Sequence, residues 1–213
     1  MKNFRNIIII LTGLLIAYSP KVISKTLSLL NISFGLEGFH SVFLWNWLAT
    51  ILLIVFIIGI EGKKLNSILL YRLTIKDLQW SLLLAGIALA WSWAIHLLFP
   101  PFQSEGLSEI VAQPLGLVLA LIITAAITEE ILYRAYPIER IHELTGKRWL
   151  AVGLSFTIFI LPHIQFFGPL WLIYHGGGTV IIYLLYLWRR NLYACMLLHF
   201  FINAPILIPV LSR

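Results

Sequence analysis

Residues 113–134 have the sequence QPLGLVLALIITAAITEEILYR, an apolar run that ends in two glutamates and, four residues after the second, an arginine. A helix that crosses a bilayer needs about 20 mainly apolar residues, and this run supplies them. Ionisable side chains inside such a helix are energetically unfavourable and mark functional sites by default. The stretch therefore predicts a membrane-spanning helix that carries polar chemistry.

The composition of the whole chain agrees with this prediction. The 213 residues are 60% hydrophobic and 11% charged, and the mean hydropathy is +0.93. Soluble domains contain roughly 45–50% apolar and about 25% charged residues. We therefore expect an all-α fold, a polytopic membrane helical bundle of about seven (six to eight) transmembrane helices, in a single integral membrane domain over residues 1–213.

The net charge of +6 does not indicate a nucleic-acid partner. The basic residues lie in short clusters between apolar runs, as topology signals do, and no basic face with aromatic side chains accompanies them. The one cysteine, Cys195, excludes an intrachain disulfide. Membrane lipid is the partner that the composition predicts.

Apolar runs of the required length divide the chain into predicted spans. The first follows Lys2 and Arg5 and resembles a signal peptide, but residues 18–21 lack a small-x-small cleavage site, so we expect an uncleaved span. Gly168 and Pro169 separate the fifth and sixth spans, which predicts a tight helical hairpin. The predicted spans are residues 6–19, 42–60, 79–99, 113–134, 150–167, 169–188 and 191–211.

The distribution of basic residues predicts the orientation. With the N-terminus in the cytoplasm, eleven Lys and Arg residues fall inside and three outside, with Arg134 left out because it lies at a span end. This is the bias that cytoplasmic loops show, and it predicts a multi-pass protein of the cell (cytoplasmic) membrane. Residues 65–78 and 22–39 are predicted to lie on the inner and outer surfaces, respectively.

The first polar cluster is formed by Glu129, Glu130 and Arg134. On an α-helix, adjacent residues point about 100° apart, so the two carboxylates face different neighbours. Glu130 and Arg134 have the i, i+4 spacing of a helical ion pair, which leaves Glu129 directed elsewhere. A carboxylate in an apolar site exchanges protons near neutral pH. The alternative is a charge cluster at the headgroups at the end of the span.

Two further clusters lie in the fifth and last predicted spans. Phe159 and His163 share one helical face, and Pro162 loosens the backbone beside them. His199 and Asn203 are spaced i, i+4, so two hydrogen-bonding side chains point the same way and can hold an oxyanion. The alternative for both clusters is ordinary hydrogen bonding between spans.

Together the three clusters contain the parts of a water-activating hydrolase. Such an enzyme needs a base for water and donors for the tetrahedral oxyanion. No serine lies in a nucleophile elbow, and Cys195 has no evident activating base, which disfavours nucleophilic catalysis. A zinc site of Glu129, His163 and His199 stays open, although no His-Glu-x-x-His spacing supports it.

These motifs resemble those of a known family, the CPBP intramembrane proteases, which include the CAAX-prenyl endopeptidases and the bacteriocin-immunity (Abi) proteins. The similarity covers about residues 113–205, and the glycines 176–178 and Arg190-Asn191-Leu192 also resemble the family's span and turn before its last motif. In order, on separate predicted spans, the motifs are Glu129-Glu130-x-x-x-Arg134, Phe159-x-x-x-His163 and His199-x-x-x-Asn203.

The resemblance implies a buried endopeptidase site that a membrane-associated or exported peptide reaches from the cytoplasmic side. It implies that Glu129 and His163 activate the water and that His199 and Asn203 form the oxyanion hole. It leaves the metal question open, and we expect no cofactor. The supporting residues that it implies are Glu130, Arg134 and Phe159.

Two other functions remain open at this stage. In a membrane immunity or regulatory protein that acts by binding, the motifs would only stabilise the bundle. In a transporter or proton relay, buried acids and histidines are also typical, but the sequence shows no internal repeat of the kind that many carriers have.

Overall fold

The computed structural model describes residues 4–30, 32, 38–99 and 104–212, and all regular structure in these ranges is helical. The predicted all-α class is therefore confirmed. The α-helices are α1 (Phe4–Leu29), α2 (Phe39–Gly59), α3 (Ile75–Leu98), α4 (Glu105–Val111), α5 (Leu115–Thr124), α6 (Tyr136–Thr145), α7 (Arg148–Phe167), α8 (Trp171–Arg189), α9 (Leu192–Asn203) and α10 (Leu207–Leu211). A π-helix (Ala125–Ala135) joins α5 to α6, and two 3₁₀ helices cover Leu65–Ile68 and Ala204–Ile206.

Six helical segments in the described ranges have the length and apolar composition of membrane spans. The apolar part of α1, Phe4–Pro20, is shorter than these six. The predicted polytopic bundle is confirmed, and its predicted range of six to eight spans contains the observed number. The six segments are Phe39–Gly59, Ile75–Leu98, Leu115–Thr145, Arg148–Phe167, Trp171–Arg189 and Leu192–Leu211.

Contacts along the chain divide it into two compact units. Unit 1 consists of Met1–Leu70 and Ile127–Phe156, and unit 2 consists of Tyr71–Ala126 and Thr157–Arg213. The division falls within two helical segments, since both the π-helix and α7 contribute residues to each unit.

In unit 1, α1 packs against α2 and α6. A side chain at Gly13 would collide with the Tyr136 ring, because an added Cβ would overlap the phenol oxygen. Tyr136 donates a 2.7 Å hydrogen bond to Glu61, and the Arg140 guanidinium donates to the same carboxylate and to Ser67. The Arg140 and Glu61 side chains are each only 2% exposed, so this network holds α6 against the end of α2 and the first 3₁₀ helix.

In unit 2, α3 packs against α8 and α9. Ser81 of α3 donates a 2.9 Å hydrogen bond to the Ala194 carbonyl of α9. At the start of α3, Thr74 and Asp77 form a capping box, which satisfies the first backbone N–H groups of the helix. Asp77 also accepts hydrogen bonds from Arg189 and Asn191, so one buried carboxylate ties together the ends of three helices.

Three sequence predictions of local structure can be compared with the structure. The hairpin is confirmed, because α7 ends at Phe167, α8 begins at Trp171, and Gly168 between them has a φ of 86°. The helical segment that contains the fourth predicted span extends beyond residue 134, to Thr145. Where the membrane-spanning part of this segment ends stays a prediction.

The inner-surface position of residues 65–78 stays a prediction. Within this stretch Ile68 and Leu69 are buried, and α3 begins at Ile75. In the outer predicted stretch, residues 22–29 continue α1, while residues 31 and 33–37 lie outside the described residues, as do Lys2 and Arg213.

Candidate active-site residues

The first motif lies on the π-helix Ala125–Ala135. A π-helix has i→i+5 hydrogen bonds, and it occurs mostly as single turns within α-helices, frequently at functional sites. Here it extends over 11 residues and carries Glu129, Glu130 and Arg134. The local backbone is therefore wider than the α-helix that the sequence predicts.

Glu130 and Arg134 form the predicted ion pair. Both side chains are 0% exposed, and each charge is compensated by the other in an environment that excludes water. This pair therefore belongs to the interior of unit 1.

Glu129 has a different environment, because it is half-buried. Tyr133 lies four residues after it on the same helix and is buried. The backbone at Tyr133 is held in turn, because the carbonyl accepts a hydrogen bond from Ser155. A hydrogen bond within unit 1 thus holds the backbone about one turn after Glu129.

His163 lies on α7 directly after the proline within that helix. Its Nδ1 lies 2.7 Å from the Phe159 carbonyl oxygen, which can only accept a hydrogen bond, so Nδ1 carries the proton. In the neutral ring Nε2 then holds the lone pair. The ring lies between two aromatic rings, with centroids 4.4 Å from Phe159 and 4.8 Å from Trp171. This arrangement fixes both the tautomer and the orientation of the imidazole.

His199 and Asn203 lie on the last long helical segment. His199 is 5% exposed, and its ring meets that of Phe159 in an edge contact with centroids 6.5 Å apart. Asn203 is the final residue of α9, and a 3₁₀ helix that contains Pro205 follows it. Because α9 is α-helical between the two residues, they share one face, as their spacing predicts.

The sequence of this region matches a known family. Residues 111–205 match the family model "Type II CAAX prenyl endopeptidase Rce1-like". The matched stretch, hereafter the Rce1-like segment, contains all three motifs, and the first 110 residues lie outside it. No significant match was found among curated proteins or among solved structures.

The match confirms the resemblance to the CAAX proteases that the motifs indicate. At the level of the family, it supports a CAAX-type intramembrane protease with endopeptidase activity. Together with the six apolar helical segments, it indicates an integral membrane protein.

Within the Rce1-like segment, the structure brings together two sets of predicted residues. Glu130 pairs with Arg134 in unit 1, and the Phe159 ring contacts both His163 and His199 in unit 2. Glu129 belongs to unit 1 and the two histidines to unit 2, so the convergence of the three side chains stays a prediction. Within the described part of each unit, no three His, Cys, Asp or Glu side chains are grouped so as to hold a metal ion.

Sequence reasoning missed the aromatic stack that continues from His163 in the Rce1-like segment. Trp171 stacks on His163, and His175 stacks on Trp171 with ring centroids 5.9 Å apart. A signal was present, because a ring occurs at every fourth position along the hairpin. These positions are Phe159, His163, Phe167, Trp171 and His175.

Proposed function

We propose that this chain is an intramembrane endopeptidase that hydrolyses a peptide bond of a membrane-associated or exported peptide or protein. The observation that carries the proposal is the family match, because the Rce1-like segment encloses every motif that the chemistry requires. Two side chains for water activation and two donors for an oxyanion are sufficient for amide hydrolysis without a covalent intermediate.

In the proposed reaction, Glu129 and His163 activate the attacking water. One of them takes a proton from the water as its oxygen bonds to the scissile carbonyl carbon. The lone pair on Nε2 of His163 suits it to this role, since Nδ1 donates to the Phe159 carbonyl. The same proton then passes to the leaving nitrogen as the C–N bond breaks, which leaves a carboxylic acid and an amine.

His199 and Asn203 stabilise the tetrahedral intermediate in this proposal. The imidazole and the carboxamide both present N–H groups, and their shared helical face directs them to one place. Donors arranged in advance around a developing oxyanion accelerate acyl transfer by several orders of magnitude, since removal of one costs about 10²–10³ in rate. His199 contacts Phe159, whose ring also contacts His163.

The supporting roles fall to Glu130, Arg134 and Phe159, which hold the reactive groups in place.

We further propose that the reaction needs no metal and that substrates enter from the cytoplasmic side. The absence of a His-Glu-x-x-His spacing supports the first point. A zinc mechanism with Glu129, His163 and His199 as ligands makes a different prediction, namely loss of activity with a chelator and its recovery with zinc. A metal-independent enzyme keeps its activity under the chelator.

The decisive experiment compares membrane peptides from cells that carry wild type, Glu129→Gln or Glu143→Gln. Glu143→Gln is the matched control, because it removes an exposed carboxylate of the same unit. Mass spectrometry is expected to detect cleavage products in wild type and in the control and to find them missing in Glu129→Gln. Equal peptide profiles in all three strains, with equal amounts of protein, would overturn the proposal in favour of a non-catalytic membrane protein.

A further inference from the structure

A second chemical feature of unit 2 lies outside the three motifs. An open cavity of about 440 Å³ lies between the beginning of α3 and the end of α8. Its size is typical of a small-molecule site. Two cations line it together with one amide and two apolar side chains, and no carboxylate is among the lining residues. These residues are Lys76, Gln79, Trp80, Leu83 and Arg189.

Arg189 is held rigidly at the edge of this cavity. Its Nε and Nη2 atoms both lie 2.9 Å from one oxygen of Asp77. The other oxygen of Asp77 accepts hydrogen bonds from Thr74 and Asn191, at 2.6 and 3.0 Å. A cation fixed in this way loses little conformational entropy when it binds an anion.

Of the two cations that line the cavity, Lys76 is the one whose positive charge is not balanced by a carboxylate. Its side chain is exposed, and it makes no hydrogen bond or ion pair with any described residue. Asp77 offsets the charge of Arg189, so the ammonium of Lys76 leaves the cavity with a net positive charge. The cavity is therefore suited to an anion that carries one negative charge.

The aromatic residues around the cavity indicate where it lies in the bilayer. The rings of Trp80 and Trp188 meet edge to face with centroids 4.7 Å apart, and both rings are partly exposed. Exposed tryptophans mark the boundary between headgroups and hydrocarbon. Leu83 follows Trp80 by one turn of α3 and is 53% exposed, so apolar surface continues from the cavity along the helix.

We propose that this cavity binds the phosphate headgroup of an anionic phospholipid, with one acyl chain against Leu83 and the two tryptophans. Basic pockets between membrane helices bind anionic lipid headgroups by this combination of charge and adjoining apolar surface. The site is independent of the peptidase proposal, because it uses none of the residues assigned to that reaction.

The test is native mass spectrometry of the purified chain with phosphatidylglycerol or phosphatidylcholine of the same acyl chains. Wild type binds phosphatidylglycerol more tightly, and Lys76→Gln lowers that affinity about fivefold while its affinity for phosphatidylcholine is unchanged. Lys64→Gln is the matched control, since Lys64 is an exposed lysine outside the cavity that also lies on the predicted cytoplasmic side. It retains the affinity of wild type.

A third arm separates a lipid from a soluble phosphate. Glycerol 3-phosphate shares the charged group but has no acyl chain, so it does not displace phosphatidylglycerol from wild type. Displacement by glycerol 3-phosphate would overturn the lipid assignment. Equal affinity of wild type for the two lipids, or equal losses in Lys76→Gln and Lys64→Gln, would overturn it as well.

Discussion

The ion pair between Glu130 and Arg134 shows how a single residue can control the stability of unit 1. Both side chains are 0% exposed, so either charge alone would be without water and without its counter-ion. Removal of one partner from a buried pair lowers the free energy of unfolding by about 3–5 kcal/mol. We expect a loss of this size for Arg134→Met, measured by reversible denaturation in detergent micelles.

The control for this prediction is an exposed ion pair of the same unit. Lys63 and Glu143 are 33% and 44% exposed, so Glu143→Gln is expected to lower the unfolding free energy by less than about 1 kcal/mol. Combining Glu130→Leu with Arg134→Met should recover much of the loss, because no buried charge remains alone. Equal stability of Arg134→Met and Glu143→Gln would contradict the buried pair.

The proposed base can be tested at the same scale through its hydrogen bond. In His163→Gln the new side chain keeps an N–H group that can donate a hydrogen bond, but it cannot take a proton from water. We expect the cleavage rate to fall by about 10²–10⁴ with little change in thermal stability. The rate is measured in proteoliposomes on a peptide whose cleavage depends on Glu129.

His175→Gln is the matched variant for this prediction. His175 stacks on Trp171, the ring that also stacks on His163, but His175 has no part in the proposed reaction. It should retain a rate close to that of wild type. Equal losses in the two variants would indicate that the aromatic stack, rather than a base at position 163, is what cleavage requires.

At the scale of the element, the sequence predicted the spans better than their ends. Hydropathy identifies a span because lipid demands a long apolar run, so all six long segments were found. The helical segment Leu115–Thr145 extends beyond the apolar run that ends at Arg134, and hydropathy cannot show that a later charge is neutralised by a distant partner. Arg140 is an example, since it pairs with Glu61 from a separate helix.

The π-helix was not predictable from the sequence for a related reason. Its 11 residues contain no glycine or proline, and the i, i+4 spacing of Glu130 and Arg134 is equally compatible with an α-helix. In the structure, Tyr133 of this helix contacts Tyr18 of α1 and Ser155 of α7. Such contacts leave no periodic pattern in the sequence.

Adjacent glycines of α8 give a prediction about helix packing. An added Cβ at Gly177 would lie 2.7 Å from Nε1 of Trp91 on α3, whereas one at Gly176 would meet only ordinary contacts at 3.9 Å. We expect Gly177→Ala to lower the unfolding free energy by about 1–3 kcal/mol, because the indole must move. Thermal unfolding in detergent measures the effect.

Gly176→Ala is the control on the neighbouring residue. It should be neutral or stabilising by about 0.5–1 kcal/mol, because alanine loses less conformational entropy than glycine in a helix. If the two variants unfold at the same temperature, close packing of α8 on α3 at Gly177 is wrong.

At the scale of the whole molecule, the candidate site was predictable in its residue types but not in its surroundings. Ionisable groups are rare in apolar helices, which makes Glu129, His163 and His199 candidates, and their convergence stays a prediction. The Phe159 ring that contacts both histidines was noted only as a neighbour on one face. The role of Asp77 was missed, since its partners Arg189 and Asn191 are more than 100 residues away in sequence.

The orientation of the molecule in the membrane gives the last prediction. Charge bias places Lys64 in the cytoplasm and Glu109 outside, and both residues are exposed in the structure. Cys195 is 0% exposed, so wild type should not react with a membrane-impermeant maleimide and serves as the control. Glu109→Cys should be labelled in intact cells, and Lys64→Cys only after the cells are opened. The reverse pattern would place the N-terminus outside, and substrates that enter from the side of Lys64 would then come from outside the cell.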